Sequence, residues 1–426
     1  GLARLPTELF DKILFEVDTV RDLACFMATA RFVYRGFRIQ RRDVLFRVLH
    51  NELGPVLDDA RFLFVFPYRD AHADQAAHIQ WLRLMAVVYH RMLRDGKARS
   101  GMPVRGSDAV PSLNELTGLC RTLYKLNFLA DVYVRARLAM FDLAGGGDTP
   151  ATAPLSVLER QRLMRGFYRH QIMSNAWAAT QRPHSGWSRE DAAAISNSST
   201  HQGDELGLFG TLEPWELQHI DHVDVFITRL CFAFVHFCPR TPDGAPVIRP
   251  REFDNLIVHQ DSLVQYLQTH PRFAEMAVRD LPTGKEAARS AHLWDKYVNV
   301  YQMIPLRCSW QGAQAHDFPN PVTDKWQRDG LAVPYLGDGL DLVPYGWADG
   351  MGGRYFGQFG ECLETISWLP RWQSDRQSFQ HGENMRLWVH AGFSLWDRKR
   401  VDALKKLPMF AHMSTGWVLR RLAEES

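Results

Sequence analysis

The chain has little cysteine and no long apolar run, and both absences narrow what it can be. Its six cysteines are scattered through 426 residues, and no two of them form a Cys-x-x-Cys pair. The spacing therefore indicates neither a zinc knuckle nor a compact disulfide framework, and it fits a reducing compartment. No uninterrupted apolar stretch approaches the about 18 residues that a membrane-spanning helix needs. We expect a protein that is cytoplasmic, nuclear or both, with no membrane contact.

An excess of one charge is also missing. Lys and Arg total 50 against 48 Asp and Glu, which gives a formal net charge of +2. A domain that binds nucleic acid is usually clearly basic, so direct nucleic-acid binding is not expected. Hydrophobic residues make up 46% of the chain, which is typical of a folded globular protein and not of a disordered one.

Sequence signatures of catalysis and of cofactor binding are equally scarce. No Gly-x-Ser-x-Gly nucleophile elbow occurs, and no segment repeats at a fixed period. His219 and His222 lack both the spacing and the glutamate of a zinc-protease helix, so a metal site there is disfavoured. We therefore expect no enzyme activity, no cofactor and no metal.

Helical periodicity dominates most of the sequence. In-phase apolar residues predict long helices over residues 77–93, 113–143 and 155–179. Ser156 and Glu159 have the spacing of a capping box at the start of the third of these helices. The predicted fold class is therefore mainly α, with an irregular helical domain in the middle of the chain.

The composition divides the chain into three predicted parts. Residues 1–55 are predicted to be a module of three short helices, and residues 56–305 an irregular helical body. After Pro305, Gly, Pro and aromatic residues replace the periodic pattern. Residues 306–426 are therefore predicted to be a loop- and aromatic-rich part that packs on the helical body.

One loop-rich stretch carries many large aromatic side chains. Among its glycines and prolines lie Trp310, Tyr335, Tyr345, Trp347 and Tyr355. Trp and Tyr held in rigid loops are typical anchors of protein interfaces. Two interpretations stay open: these rings form a recognition surface, or they fasten irregular loops onto the helical core.

The opening of the chain carries the densest motif. Its residues come in two ordered groups, namely Leu5, Pro6, Glu8, Leu9, Ile13 and Leu14, and then Asp22, Leu23, Met27, Ala30 and Arg31. The apolar members recur at helical spacing and form one stripe on each of two helices. A module this small hides too little surface to bury such faces against itself. It must therefore pack either on the rest of the chain or on a partner protein.

In this order the residues resemble an F-box of the form common in fungal proteins. The family's Leu-Pro-x-Glu-Leu opening, its Ile-Leu pair, its Asp-Leu at the second helix and its later Arg are matched by Leu5, Pro6, Glu8, Leu9, Ile13, Leu14, Asp22, Leu23 and Arg31. The family usually has a Trp near the end of the motif, whereas this sequence has Phe32, Tyr34 and Phe37 there.

The resemblance implies docking onto a Skp-type adaptor and, through it, onto the cullin of a cullin–RING ubiquitin ligase. The remainder of the chain would then present an unknown protein substrate. The candidate contact residues, acting by apolar burial, are Leu5, Pro6, Leu9, Ile13, Leu14, Leu23 and Met27, with Glu8 and Arg31 at the rim. An alternative stays open: a non-catalytic scaffold subunit of a nuclear or chromatin-linked complex that uses the module for assembly alone.

Overall fold

A computed structural model describes a large part of the helical chain. It covers residues 5–66, 75–99, 111–142, 153–178, 260–269 and 395–405, single residues and short pieces between 190 and 230, and residues 339–341, 344 and 392. Within these ranges the chain forms ten α-helices, one short 3-10 helix and no strand. The prediction of a mainly α fold is confirmed.

Four helices, and not the predicted three, lie within the first 53 residues. They are α1 (Thr7–Phe15), α2 (Val20–Thr29), α3 (Arg31–Ile39) and α4 (Arg41–Leu53). The helix that the sequence pattern did not indicate is α3, because it contains Gly36, a residue that disfavours helix interiors. Phe10 of α1 packs against this glycine, and a Cβ there would run into the Phe10 ring. Close packing between α1 and α3 therefore explains the glycine.

Local signals fix where α2 begins and where α4 ends. The hydroxyl of Thr19 accepts a hydrogen bond from the backbone N–H of Asp22 at 3.0 Å, which caps α2. Gly54 follows α4 with a φ of 53°, a left-handed conformation that glycine adopts without a Cβ penalty. The chain then passes through a 3-10 helix (Gly54–Val56) into α5 (Leu57–Val65).

Three longer helices follow, close to their predicted positions. They are α6 (Gln75–Arg99), α7 (Leu113–Asp142) and α8 (Val157–Ala178). The predicted capping box of α8 is confirmed: Ser156 Oγ accepts from the Glu159 N–H at 3.1 Å, and the Ser156 N–H donates to Glu159 Oε2 at 2.9 Å. Two shorter helices, α9 (Gln260–Thr269) and α10 (Arg398–Lys405), lie further along the chain.

Helix α8 lies at the centre of the fold. All of residues 161–170 are buried, which means that the helix is covered on every side through almost three turns. Helices α5 and α7 and the 3-10 helix pack directly against it. The buried apolar side chains form one continuous core that runs from Phe10 in α1 to Leu404 in α10.

This central helix also carries buried positive charge. Arg165 and Arg169 lie on one side of α8 and face carboxylates from other parts of the chain. Arg169 Nε donates to Asp59 Oδ1 of α5 at 2.8 Å, and Arg169 Nη1 donates to Glu216 Oε1 at 2.7 Å. Arg165 Nη1 donates to the same Glu216 oxygen at 3.3 Å and to Asp341 Oδ1 at 2.9 Å. These charges therefore join segments that are far apart in sequence.

A second group of charges holds α10 against the start of α8. Arg162 Nη1 donates to Asp397 Oδ1 at 2.6 Å. Glu159 accepts from Arg400 Nε and from Arg400 Nη2, both at 2.9 Å. We refer to Arg162, Arg165 and Arg169 and their carboxylate partners as the arginine network.

Removing one carboxylate from the arginine network should destabilise the fold strongly. Asp59→Asn leaves Arg169 buried with one charge partner fewer, and breaking a buried pair costs about 3–5 kcal/mol. The control is Asp131→Asn, which removes the exposed partner of Arg160 and should cost less than about 1 kcal/mol. Unfolding in urea measures both values. An equal loss of unfolding free energy in the two variants would show that the arginine network stabilises the fold no more than an exposed ion pair does.

The buried His222 should make the fold sensitive to acid. Burial, with Arg137 and His219 nearby, lowers the pKa of His222 well below 6.5. Below about pH 6.5 the unfolded chain therefore binds a proton that the folded chain does not, so stability falls as the pH falls. We expect the free energy of unfolding to decline less in His222→Gln than in the unaltered chain between about pH 7.5 and 5.5. An identical decline in both proteins would show that His222 does not contribute.

Candidate partner-binding surface

Helix α1 has one side that belongs to the protein's own core. Phe10 and Leu14 are buried on that side. The Phe10 ring packs at centroid distances of 6.4 Å from Phe26 of α2 and 5.7 Å from Phe32 of α3. The inner side of α1 is therefore satisfied within the chain.

Another side of α1 leaves large apolar side chains in contact with solvent. Leu5 and Ile13 are each 37% exposed, and Leu9 is 47% exposed. Leu9 and Ile13 are four residues apart on the helix, which places them on one face. Leu5 precedes Leu9 by the same interval. We call Leu5, Leu9 and Ile13 the α1 apolar face.

The remaining predicted contact residues divide between core and surface. Pro6 and Arg31 are exposed, and Met27 is half-buried against the core. Leu14 and Leu23 are only 0% and 1% exposed, because the chain's own helices cover them. Their placement differs from the expected contact role, because both belong to the protein's own core and offer a partner no surface.

Polar side chains of α4 hold α1 and the loop after it in place. Asn51 Nδ2 donates to the carbonyl oxygens of Phe15 and Val17, each at 3.0 Å. Glu52 Oε2 accepts from the Val20 N–H at 2.8 Å, and Glu52 Oε1 accepts from Asn127 of α7 at 2.8 Å. Because α4 and α7 belong to the main core, α1 is presented from a fixed base.

The predicted aromatic recognition surface lies outside the residues that the structure describes. This applies to all of its candidates, Trp310, Tyr335, Tyr345, Trp347 and Tyr355. Both interpretations of these rings, a recognition surface or a fastening of loops to the core, therefore stay predictions.

The described part of the chain contains neither a candidate metal site nor a membrane-spanning helix. There, no three His, Cys, Asp or Glu side chains come together in a way that could hold a metal ion. His219 and His222 are both buried. None of the helices in the same residues combines the length and the apolar character needed to cross a membrane.

The arginine network is a charged cluster that the sequence prediction missed. The signal was present, since Arg162, Arg165 and Arg169 have the i, i+3, i+7 spacing of a single helix face. The same helix also buries apolar side chains, among them Leu163 and Phe167. Each of the three arginines pairs with a carboxylate of the same chain, which favours a structural role.

The two sides of α1 should respond differently to truncation. Leu14→Ala removes fully buried methyl groups and should cost about 2–5 kcal/mol of folding free energy. Leu9→Ala changes a half-exposed side chain and should cost less than about 1 kcal/mol. Thermal and urea unfolding of both variants measures the difference. A large loss for Leu9→Ala would show that this face is covered within the chain.

Comparison with known proteins adds no further identification. No protein-family model, no curated protein and no solved structure matches this chain. The resemblance of the opening residues to an F-box therefore rests on the motif itself. The α1 apolar face is the structural feature to which a functional proposal can be tied.

Proposed function

We propose that this protein is a non-catalytic F-box-type adaptor that docks on a Skp-type adaptor of a cullin–RING ubiquitin ligase. The observation that carries the proposal is the α1 apolar face, formed by Leu5, Leu9 and Ile13 of the motif. The remainder of the chain would hold a protein substrate and bring it to the ligase.

The energetics of the surface support this proposal. An exposed leucine or isoleucine gains free energy when a partner removes it from water, at about 25 cal/mol for each Å² of apolar surface. Leu9 and Ile13 on this short helix, with Leu5 just before it, form a patch that one partner groove can cover, as in the helix-in-groove mode of recognition.

The contact must extend beyond α1. A stable protein interface buries more than about 1,000 Å² in total, and three side chains cannot supply this area alone. Helix α2 lies in the same module, and its Asp22, Ala24 and Ala28 are exposed. We expect these residues to extend the contact that Pro6 and the α1 apolar face make, with the exposed Glu8 and Arg31 at its rim.

A pull-down with a co-expressed Skp-type adaptor tests the proposal. The unaltered chain should capture the adaptor stoichiometrically, whereas Leu9→Asp plus Ile13→Asp should abolish capture, since two carboxylates would then be buried without partners. The matched control is Leu84→Asp plus Val87→Asp on α6, where the two side chains are 59% and 58% exposed. This control should bind like the unaltered chain.

Two outcomes decide between ligase adaptor and other roles. If the unaltered chain does not capture the adaptor, or if the α6 control loses capture equally, the F-box proposal fails. If the adaptor is captured and no cullin joins the complex, the scaffold alternative replaces the ligase role. Circular dichroism of each variant establishes that the helices remain folded.

A further inference from the structure

Helix α3 presents a basic face to solvent. Arg31, Arg35 and Arg38 are all exposed on the side opposite the buried Val33 and Phe37. Their spacing of four and then three residues places them in one stripe. Helix α3 contains no acidic residue.

Exposed apolar side chains accompany this positive charge. Tyr34 lies between the first two arginines and is 50% exposed, and Ile39 at the end of the helix is 83% exposed. Together with Arg31, Arg35 and Arg38, these two residues form what we call the α3 basic face. It combines charge with apolar surface that remains in contact with water.

The three arginines are unpaired within the described part of the chain. None of their side chains forms a hydrogen bond or an ion pair with these residues. Other arginines of the same fold do find partners, including Arg61, which contacts Glu115 at 3.0 Å. The α3 basic face therefore keeps its hydrogen-bond donors available to another molecule.

Arg31 and Arg35 are unfavourably placed for the stability of α3, whereas Arg38 lies in its last turn, where a positive charge is favourable. The N-cap of α3 is Ala30, which makes no side-chain cap bond, and Arg31 places positive charge at the positive end of the helix dipole. Arg35 adds a like charge four residues later. In contrast, α2 in the same module has a Thr19 cap and an acidic Asp22 in its first turn. Departures from local stability of this kind occur typically at functional sites.

We propose that the α3 basic face binds an acidic protein segment that contains apolar side chains. Arginine pairs with carboxylates through two parallel hydrogen bonds, and Tyr34 and Ile39 offer apolar contacts beside them. A nucleic acid fits less well, since the stripe from Arg31 to Arg38 spans only about 10 Å and supplies three cations. The proposal does not depend on the α1 apolar face.

Fluorescence anisotropy with a defined peptide tests this inference. The probe is a fluorescein-labelled peptide of glutamates interrupted by leucines at helical spacing, titrated at low ionic strength. Arg35→Glu plus Arg38→Glu should weaken binding by at least about tenfold. The matched control is Arg91→Glu plus Arg94→Glu, which makes the same change in net charge on the exposed side of α6 and should leave binding unchanged. Arg31 is left unaltered, since it also belongs to the predicted adaptor contact.

A variant with unchanged net charge distinguishes recognition of the peptide's leucines from electrostatic attraction to its glutamates. Tyr34→Ala should weaken binding of the leucine-containing peptide and leave binding of an all-glutamate peptide unchanged. The inference is overturned if the unaltered chain does not bind the peptide, or if the α3 and α6 charge reversals weaken binding equally. It is also overturned if a single-stranded oligonucleotide of equal charge binds more tightly than the peptide.

Discussion

The pairing of buried arginines on α8 is the constraint on which the rest of the fold depends. A buried guanidinium without a carboxylate is costly, so Arg162, Arg165 and Arg169 each require a partner from elsewhere in the chain. Asp59, Glu216, Asp341 and Asp397 supply these partners from widely separated positions. Apolar burial brings the helices together, and these pairs determine which segments must meet around α8.

This constraint also explains how the first helices are presented. Helix α5 is tied to α8 through Asp59, and α4 leads into α5 through the 3-10 helix and packs on α7. Asn51 and Glu52 of α4 then position the α1–α2 segment. The buried side of α1 is thus joined to a rigid core, while Leu9 and Ile13 remain outside it. A fixed helix with an uncovered apolar side is suited to bind a partner without a large ordering cost.

Local sequence signals predicted most of the secondary structure. They did not predict the features that depend on contacts between residues far apart in the chain. The capping box at Ser156 was predicted because it depends only on neighbouring residues, and the Thr19 cap and the stop at Gly54 are local signals of the same kind. Helix α3 was missed because Gly36 is favoured there by the Phe10 ring, a contact between different helices. Leu14 and Leu23 have the same periodicity as Leu9 and Ile13, and only tertiary packing separates buried from exposed members. The arginine network was missed for the same reason, since its carboxylates come from distant segments.

Hydrogen–deuterium exchange of the chain with and without a Skp-type adaptor tests the central claim most directly. The claim is that α8 is anchored in the core while α1 keeps a face open to a partner. Amides of α8 should exchange slowly in both samples, and exchange in α1 (Thr7–Phe15) should slow when the adaptor is added. Exchange in α1 that is already as slow as in α8, and that the adaptor does not change, would contradict this account.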